Sequence, residues 1–320
     1  MADPLATVLI PAKNGGARFW QCLEAVKAQE LPGGFEILVV DSGSTDGSAE
    51  LAEQYGRLVR IKPEEFNHAL TRNLGMSESR GKYVALLVQD AVPEEGWLDA
   101  LVKAVEPEGV AGAYSRQVPR PACPPFIKAR LDRWSAGMTE REIKSVSGEE
   151  ELMSLPFIER VRLLSFDNVS SCIKKEVWEK VPFRQRRFGE DAAWARDVLL
   201  SGYKTVFEPA SVVEHSHHNS MWYEFKRVYL DHRNWREVAE GALFNNLFEV
   251  FLASVNGVSE RWQELDELQV KGASKLYWMA YALPWSFSQN IAQYLGARSY
   301  KAAIKIRWYN KVDEFMSRGV

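Results

Sequence analysis

Phe35-Glu-Ile-Leu-Val-Val40 runs without a break into Asp41-Ser-Gly-Ser-Thr-Asp-Gly-Ser48. A short run with almost no polar face, ended by a carboxylate and small turn formers, reads as a strand buried on both sides that opens into a loop and then a helix. The unit recurs around it. Thr7 to Pro11 is an apolar strand, and Ala17 to Gln29 repeats Phe19, Trp20, Leu23 and Val26 at helical spacing. Leu58 to Ile61 and Tyr83 to Val88 read as further strands. Thr45 to Tyr55, Asn67 to Ser79 and Trp97 to Val105 read as the intervening helices. Such alternation predicts an α/β protein with an open, doubly wound, mostly parallel sheet, which binds ligands beyond the carboxyl ends of its strands.

The pattern changes at Pro119-Arg-Pro-Ala-Cys-Pro-Pro125, a loop or hinge by its prolines. Phe126 to Leu164 is polar and carries no clear periodicity. Asn168 to Val181 reads as a strand leading into a short helix, Glu190 to Ser201 as a helix, and Lys204 to Phe207 and Val212 to His215 as edge strands. From Ser220 onward the chain reads as helical and rich in aromatics. The expected division is 1–218 for the α/β domain and 219–320 for a helical region offering acceptor, membrane-surface or oligomer contacts.

Composition narrows the function. The 320 residues are 46% apolar and 26% charged, enough for a large core. Lys and Arg number 40 against 43 Asp and Glu, a balance that argues against a dedicated nucleic-acid binder. Three cysteines, Cys22, Cys123 and Cys172, exclude a disulfide scaffold and a paired-cysteine metal site, and suit a reducing cytoplasm. Neither a signal peptide nor an apolar run near the ~20 residues of a membrane span is expected. No GxGxxG follows the first strand, and no P-loop, HExxH or GxSxG motif is present.

Four places carry candidate chemistry. Asp41, at a strand's carboxyl end, can accept the imide N–H of uracil or thymine; the plainer role is a turn, with Ser44 or Asp46 capping the next helix. Asp90, in Val88-Gln-Asp-Ala91, is either a ligand for a hard cation such as Mg2+ or Mn2+ or a turn residue before Pro93. Glu190 and Asp191 open a helix, where they complement its dipole or supply a general base. Glu214-His-Ser-His-His218 holds three of the five histidines; if extended, it aims His215 and His217 to one side. Its plainer role is a solvated turn.

Taken in order, these segments resemble the inverting glycosyltransferases of family 2, with the GT-A fold, and most closely the bacterial rhamnosyltransferase branch. The resemblance rests on Val8–Gly16, Val39–Gly47, Phe66–Gly75, Gly81–Ala91, Phe188–Gly202 and Val213–Arg227, and covers roughly residues 5 to 235. It implies transfer of a sugar from a nucleoside-diphosphate donor to an acceptor hydroxyl with inversion, in bacterial cell-surface glycan assembly. L-Rhamnose from dTDP-rhamnose is the first expectation and a UDP-sugar the alternative. Pro11, Lys13, Asp41, Ser42, Arg72, Gln89 and Asp90 would bind the donor. Asp90 and His215 would hold Mg2+ or Mn2+, and Asp191 with Glu190 would form the catalytic pair. His217 and Trp194 would contact phosphate or acceptor. One position departs from the family: Val88 stands where the Asp-x-Asp motif has its first acid. The rivals are a non-catalytic nucleotide-sugar or glycan-binding module, and a nucleotidyltransferase, for which Asn14-Gly-Gly-Ala-Arg18 is only a partial phosphate loop.

A glycan or polyprenyl-linked acceptor and work at the inner face of the cytoplasmic membrane follow from the same resemblance. From Arg298 to Val320, Lys301, Lys305, Arg307, Lys311 and Arg318 alternate with Tyr300, Ile304, Ile306, Trp308 and Phe315. That pattern fits either peripheral membrane binding or a cationic face on a helix packed within its own domain or on a second copy.

Overall fold

The structure, a computed structural model, describes residues 3–305 and 308–318, with side chains outside 301–310. It divides into a sheet unit (Met1–Arg120, Leu131–Leu155, Arg162–His215) and a helical unit (Pro121–Arg130, Pro156–Val161, Ser216–Val320).

In the sheet unit, strands β1 (Ala6–Ala12), β2 (Phe35–Asp41), β3 (Arg57–Arg60) and β4 (Tyr83–Leu87) alternate with helices α1 (Gly16–Lys27), α2 (Ser48–Glu53) and α3 (His68–Glu78). After β5 (Val92–Pro93), α4 (Trp97–Val105) leads to β6 (Val110–Val118). The segment without periodicity forms α5 (Pro125–Leu131), β7 (Glu142–Lys144), α6 (Glu149–Ser154) and α7 (Phe157–Leu164), of which nearly all of α5 and the first part of α7 belong to the helical unit. Then come β8 (Ser170–Lys174), α8 (Lys175–Trp178), α9 (Glu190–Leu200) and β9 (Lys204–Glu214).

The sheet order is β3-β2-β1-β4-β8-β6-β9-β5, with β7 also on β9. β1, β2, β3 and β4 are mutually parallel, and β6 is parallel to β9. β8 runs antiparallel between β4 and β6, so the sheet is mixed. The two expected edge strands are one strand, β9. It lies inside the sheet beside β6, with a register shift opposite Ser115 and Arg116 that carries it past Pro209. Proline breaks the ladder locally, which made one long strand look like two short ones.

Strand alternation sorts the core. Val8 and Ile10 face α1 and α4 with Phe19, Leu23, Trp97 and Leu101, whereas Leu9, Leu38 and Val84 face α3 and α9 with Met76, Trp194 and Val198. A Cβ on Gly75 would come within 2.3 Å of Leu9 Cδ1, so α3 lies against β1 only because that residue is glycine. Asn67 caps α3 by accepting from the Ala69 and Leu70 amides.

The helical unit contains α10 (Met221–Val238), α11 (Leu247–Glu267), α12 (Gly272–Lys305) and α13 (Trp308–Ser317). The aromatics expected there as packing are divided. Tyr229 and Trp285 are buried and Phe126 packs on Trp278 and Trp285, but Trp222 and Tyr277 are more than half exposed. Asp313 joins α13 to α10, accepting from Tyr229 Oη at 2.8 Å and from Arg233 Nε at 2.6 Å. The side chains of Lys301, Ile304, Lys305, Ile306, Arg307 and Trp308 lie outside the described residues. No helix among the described residues is long and apolar enough to cross a membrane.

Candidate active site

Topology gathers the candidates. β4 and β6 are both antiparallel to β8, hence parallel to each other, and β9 is parallel to β6. The carboxyl ends of β1, β2, β4, β6 and β9, and the amino end of β8, therefore share one edge of the sheet. Asp41 ends β2, Asp90 sits in the turn after β4, Gln117 and Arg120 lie at the end of β6, and His215 follows β9. Asp167 sits just before β8.

The turns after β1 and β2 are stitched together. The Asn14 amide donates to Ser44 Oγ at 2.9 Å, Gly15 to Ser48 Oγ at 3.0 Å and Gly16 to Asp46 Oδ2 at 3.1 Å, while Asn14 Oδ1 accepts from the Thr45 amide at 2.8 Å. Gln89 grips the backbone of Lys13 from both sides: its Oε1 accepts from the Lys13 amide at 2.8 Å and its Nε2 donates to the Lys13 carbonyl at 3.1 Å. Ser42 is buried and donates to the Ala12 carbonyl. Pro11 is half-buried near the end of β1, and the Lys13 side chain is exposed.

Asp41 is 3% exposed. Its Oδ2 accepts from the Gly43 and Ser44 amides, both at 3.0 Å, which is the turn role. Its Oδ1 is buried with no hydrogen-bond partner among the described residues. A buried carboxylate oxygen without a donor is costly, and a ligand N–H would satisfy it.

At the β4 end, Arg120 Nη2 donates to the Asp90 carbonyl and lies 3.4 Å from Asp90 Oδ2. His215 Nε2 lies 3.7 Å from Asp90 Oδ1. The two units divide between His215 and Ser216, and His217 follows in the same segment. Asp90 and His215, both in the sheet unit, are the candidate ligands that this unit brings together. His218 is exposed. A carboxylate oxygen with an imidazole nitrogen is a mixed oxygen and nitrogen donor set, which suits Mn2+ better than the all-oxygen preference of Mg2+.

Behind His215 stand residues that sequence reading missed. His215 Nδ1 is 3.1 Å from Gln117 Oε1, and Gln117 Nε2 donates in turn to Asp167 Oδ2. Asp167 Oδ1 accepts from the Val169 amide at 2.8 Å. Gln117 and Asp167 are 50 residues apart, and Gln117 and His215 are 98 apart, so no local pattern marks them.

Asp191 and Glu190 begin α9, set up by Gly189 at φ 71°. Glu190 is buried and pairs with Arg72 Nη1 at 2.6 Å. Burial alone would raise the Glu190 carboxyl, but the Arg72 guanidinium outweighs it and holds the group below the usual carboxylate range. Asp191 is partly exposed as a residue, yet protein surrounds its carboxyl; loss of hydration, then the negative charges of Glu190 and Asp167, push its proton affinity well up. Arg72, read as a donor contact, is thus engaged with Glu190. Trp194 is 1% exposed, donates to the Val181 carbonyl at 2.8 Å and packs on Phe166 and Phe183, a core position rather than the site edge.

Residues 7–156 match the family described as Glycosyl transferase family 2. The chain is 27% identical over 232 residues to the O-antigen chain rhamnosyltransferase WbaN of Salmonella anatum, covering 71% of this chain and 70% of that one. It is 27% identical over 230 residues to the O-antigen chain rhamnosyltransferase RfbN of Salmonella typhimurium, covering 70% of each. Among solved structures it is similar to the mannosyltransferase PcManGT of Pyrobaculum calidifontis in complex with GDP-Man and Mn2+. The TM-score is 0.52 and the identity 17%, over 99% of this chain and 85% of that chain. It is also similar to residues 1–349 of S. aureus TarS in complex with UDP-GlcNAc, with a TM-score of 0.50 and 13% identity, over 93% and 92%. At these identities the solved structures speak to the GT-A fold.

Proposed function

Residues 7–156 belong to glycosyltransferase family 2, and from that premise we propose that the protein is an inverting, metal-assisted glycosyltransferase that moves L-rhamnose from dTDP-rhamnose to a hydroxyl of a cell-surface glycan precursor. The observation that carries the reading is the shared sheet edge: an unsatisfied Asp41 oxygen, the Asp90 and His215 pair, and a carboxyl of raised proton affinity at Asp191. The sugar rests on the likeness to two rhamnosyltransferases, since Asp41 would accept the imide N–H of thymine or uracil equally well.

In this reading Asp41 Oδ1 accepts the base N–H, and the stitched turns keep the nucleoside pocket in shape. Asp90, with His215, would hold the cation, which when bound supplies charge neutralisation and a template for the diphosphate. Arg120, against Asp90, adds a fixed positive charge at the same place. Asp191 takes the proton of the acceptor hydroxyl as it attacks. A base with raised proton affinity does this better near neutral pH than an ordinary aspartate. Glu190, kept ionised by Arg72, contributes to that rise. The acceptor is a glycan or polyprenyl-linked glycan, and the place of work is the inner membrane face.

The test is a panel of nucleotide-sugars incubated with the intact protein and an acceptor extract, with Mn2+, Mg2+ or a chelator. The expected result is release of dTDP from dTDP-rhamnose, abolished by chelation, with an inverted anomeric centre by NMR. Binding without release would leave a non-catalytic nucleotide-sugar module; undiminished release in chelator would remove the metal and leave Arg120 as the neutralising charge.

A further inference from the structure

Behind the candidate cation ligands lies a chain of hydrogen bonds that the proposed reaction does not itself require. Asp167, with Oδ1 held by the Val169 amide, turns Oδ2 toward Gln117. A carboxylate can only accept, so it must face the NH2 end of the Gln117 amide, and that fixes which end of Gln117 is which. Gln117 Oε1 is thereby left facing His215 Nδ1 at 3.1 Å. An amide oxygen also only accepts, so Nδ1 must carry the ring proton. The lone pair then belongs to Nε2, the nitrogen that lies 3.7 Å from Asp90 Oδ1.

We infer that Gln117, oriented by Asp167, is a positioning residue that sets the tautomer of His215 and so presents its Nε2 to a divalent cation beside Asp90. The inference rests on the metal reading above and adds to it. Outer partners that fix a ligating imidazole typically carry a 10- to 100-fold effect on metal affinity. Asp167 also belongs to the surroundings of Asp191, where its charge adds to the raised proton affinity of the base. One carboxylate therefore orients the cation ligand and conditions the acceptor-side base, joining the two halves of the site.

The argument makes a directional prediction for Asp167→Asn. The Val169 amide still needs an oxygen, so the new side chain must turn its NH2 toward Gln117. Gln117 then flips, offers its own NH2 to His215 Nδ1, and moves the ring proton to Nε2. Gln117→Glu on its own sets a second carboxylate against Asp167. The double variant, Gln117→Glu with Asp167→Asn, restores a consistent chain: the amide donates to the new carboxylate, which accepts from His215 Nδ1–H.

The experiment uses the full chain in wild-type form, both single variants and the double, each checked for an unaltered thermal transition. Mn2+ binding is read by electron paramagnetic resonance, with the metal alone and with dTDP. The His215 tautomer is read by 15N NMR on the metal-free protein, assigned through His215→Gln. The expected result is an Nδ1-protonated wild type, a 10- to 100-fold loss of Mn2+ affinity in both singles with the tautomer inverted in Asp167→Asn, and recovery to within a few-fold in the double. If the wild type binds Mn2+ and the singles bind it equally well, the positioning role is overturned and the metal site stands. If the wild type binds no Mn2+ even with dTDP, the metal reading itself falls and this inference with it.

Discussion

Beside β1 and β2 the edge of the sheet is made of short local bonds, in which hydroxyls, amides and the Asp41 and Asp46 carboxylates close the turns and bind one to the next. Beside β6, β8 and α9 it is crowded with ionisable groups: Arg72 pairs with Glu190, the charges of Glu190 and Asp167 act on Asp191, and Asp167 accepts from Gln117. The first side is a preformed cradle whose unsatisfied oxygen, Asp41 Oδ1, is set for a ligand. The second holds electrostatic tension, because Asp191 is kept where its ionised form is poorly supported. Binding calls for the first kind of construction and proton transfer for the second.

The largest effect should come from the tense side. Asp191→Asn is expected to lower turnover about 10²- to 10⁴-fold while leaving donor affinity within a few-fold. The same change should raise stability. A carboxyl whose proton affinity is raised by folding contributes stability that is complete below its unfolded value, near pH 4, and is lost as pH rises toward its folded value. The variant lacks that loss, so its advantage in denaturant midpoint should grow from about pH 4 upward. A variant equally active, or destabilised at pH 8, would break the contrast. In the wild type, kcat/KM should rise with pH on its acid limb as Asp191 ionises.

Next comes Arg72→Met, which leaves Glu190 buried without its partner. A loss of about 3–5 kcal/mol in unfolding free energy is expected, measured with urea. If stability holds and donor affinity falls instead, Arg72 belongs to the donor cradle, as the family resemblance implies.

On the cradle side, Asp41→Asn should weaken dTDP binding by about 10- to 100-fold, the scale of one charge-assisted hydrogen bond, with little change in melting temperature. Its single oxygen would stay with the Gly43 and Ser44 amides, turning an NH2 toward the base. Equal affinity by calorimetry would mean that the base binds elsewhere.

Smallest of all, Ser48→Ala removes one stitch, the acceptor for the Gly15 amide, and should cost about 1 kcal/mol with turnover unchanged at saturating donor. A large catalytic defect would show that the cradle is not rigid on its own account.

Local chemistry explains what could be read early. Asp41 announces itself because a buried strand must end in a turn, and Asp-Ser-Gly-Ser is a turn. Asp191 follows from Gly189 and the helix start, and the Asp90 turn from the residues before Pro93. Trp194 reads as a helix residue near the pair, but the side of α9 that it occupies is decided by Phe166 and Phe183. β9 was split by Pro209 because a strand's continuity past a proline depends on the partner strand.

The amino-acid sequence by itself determined the α/β layering, the sheet edge that carries the candidate site and the carboxylates at its strand and helix ends, since each depends on periodicity or on a few neighbouring residues. Tertiary structure alone decided that Arg72 belongs to Glu190, that Arg120 lies on Asp90, and that Asp167 holds Gln117 against His215. Those groups are brought together by β8 running antiparallel between β4 and β6 and by β9 pairing with β6. Partners separated by 30 to 118 residues leave no mark in the spacing of a chain, because a hydrogen bond depends on distance in space and the sequence records distance along the backbone.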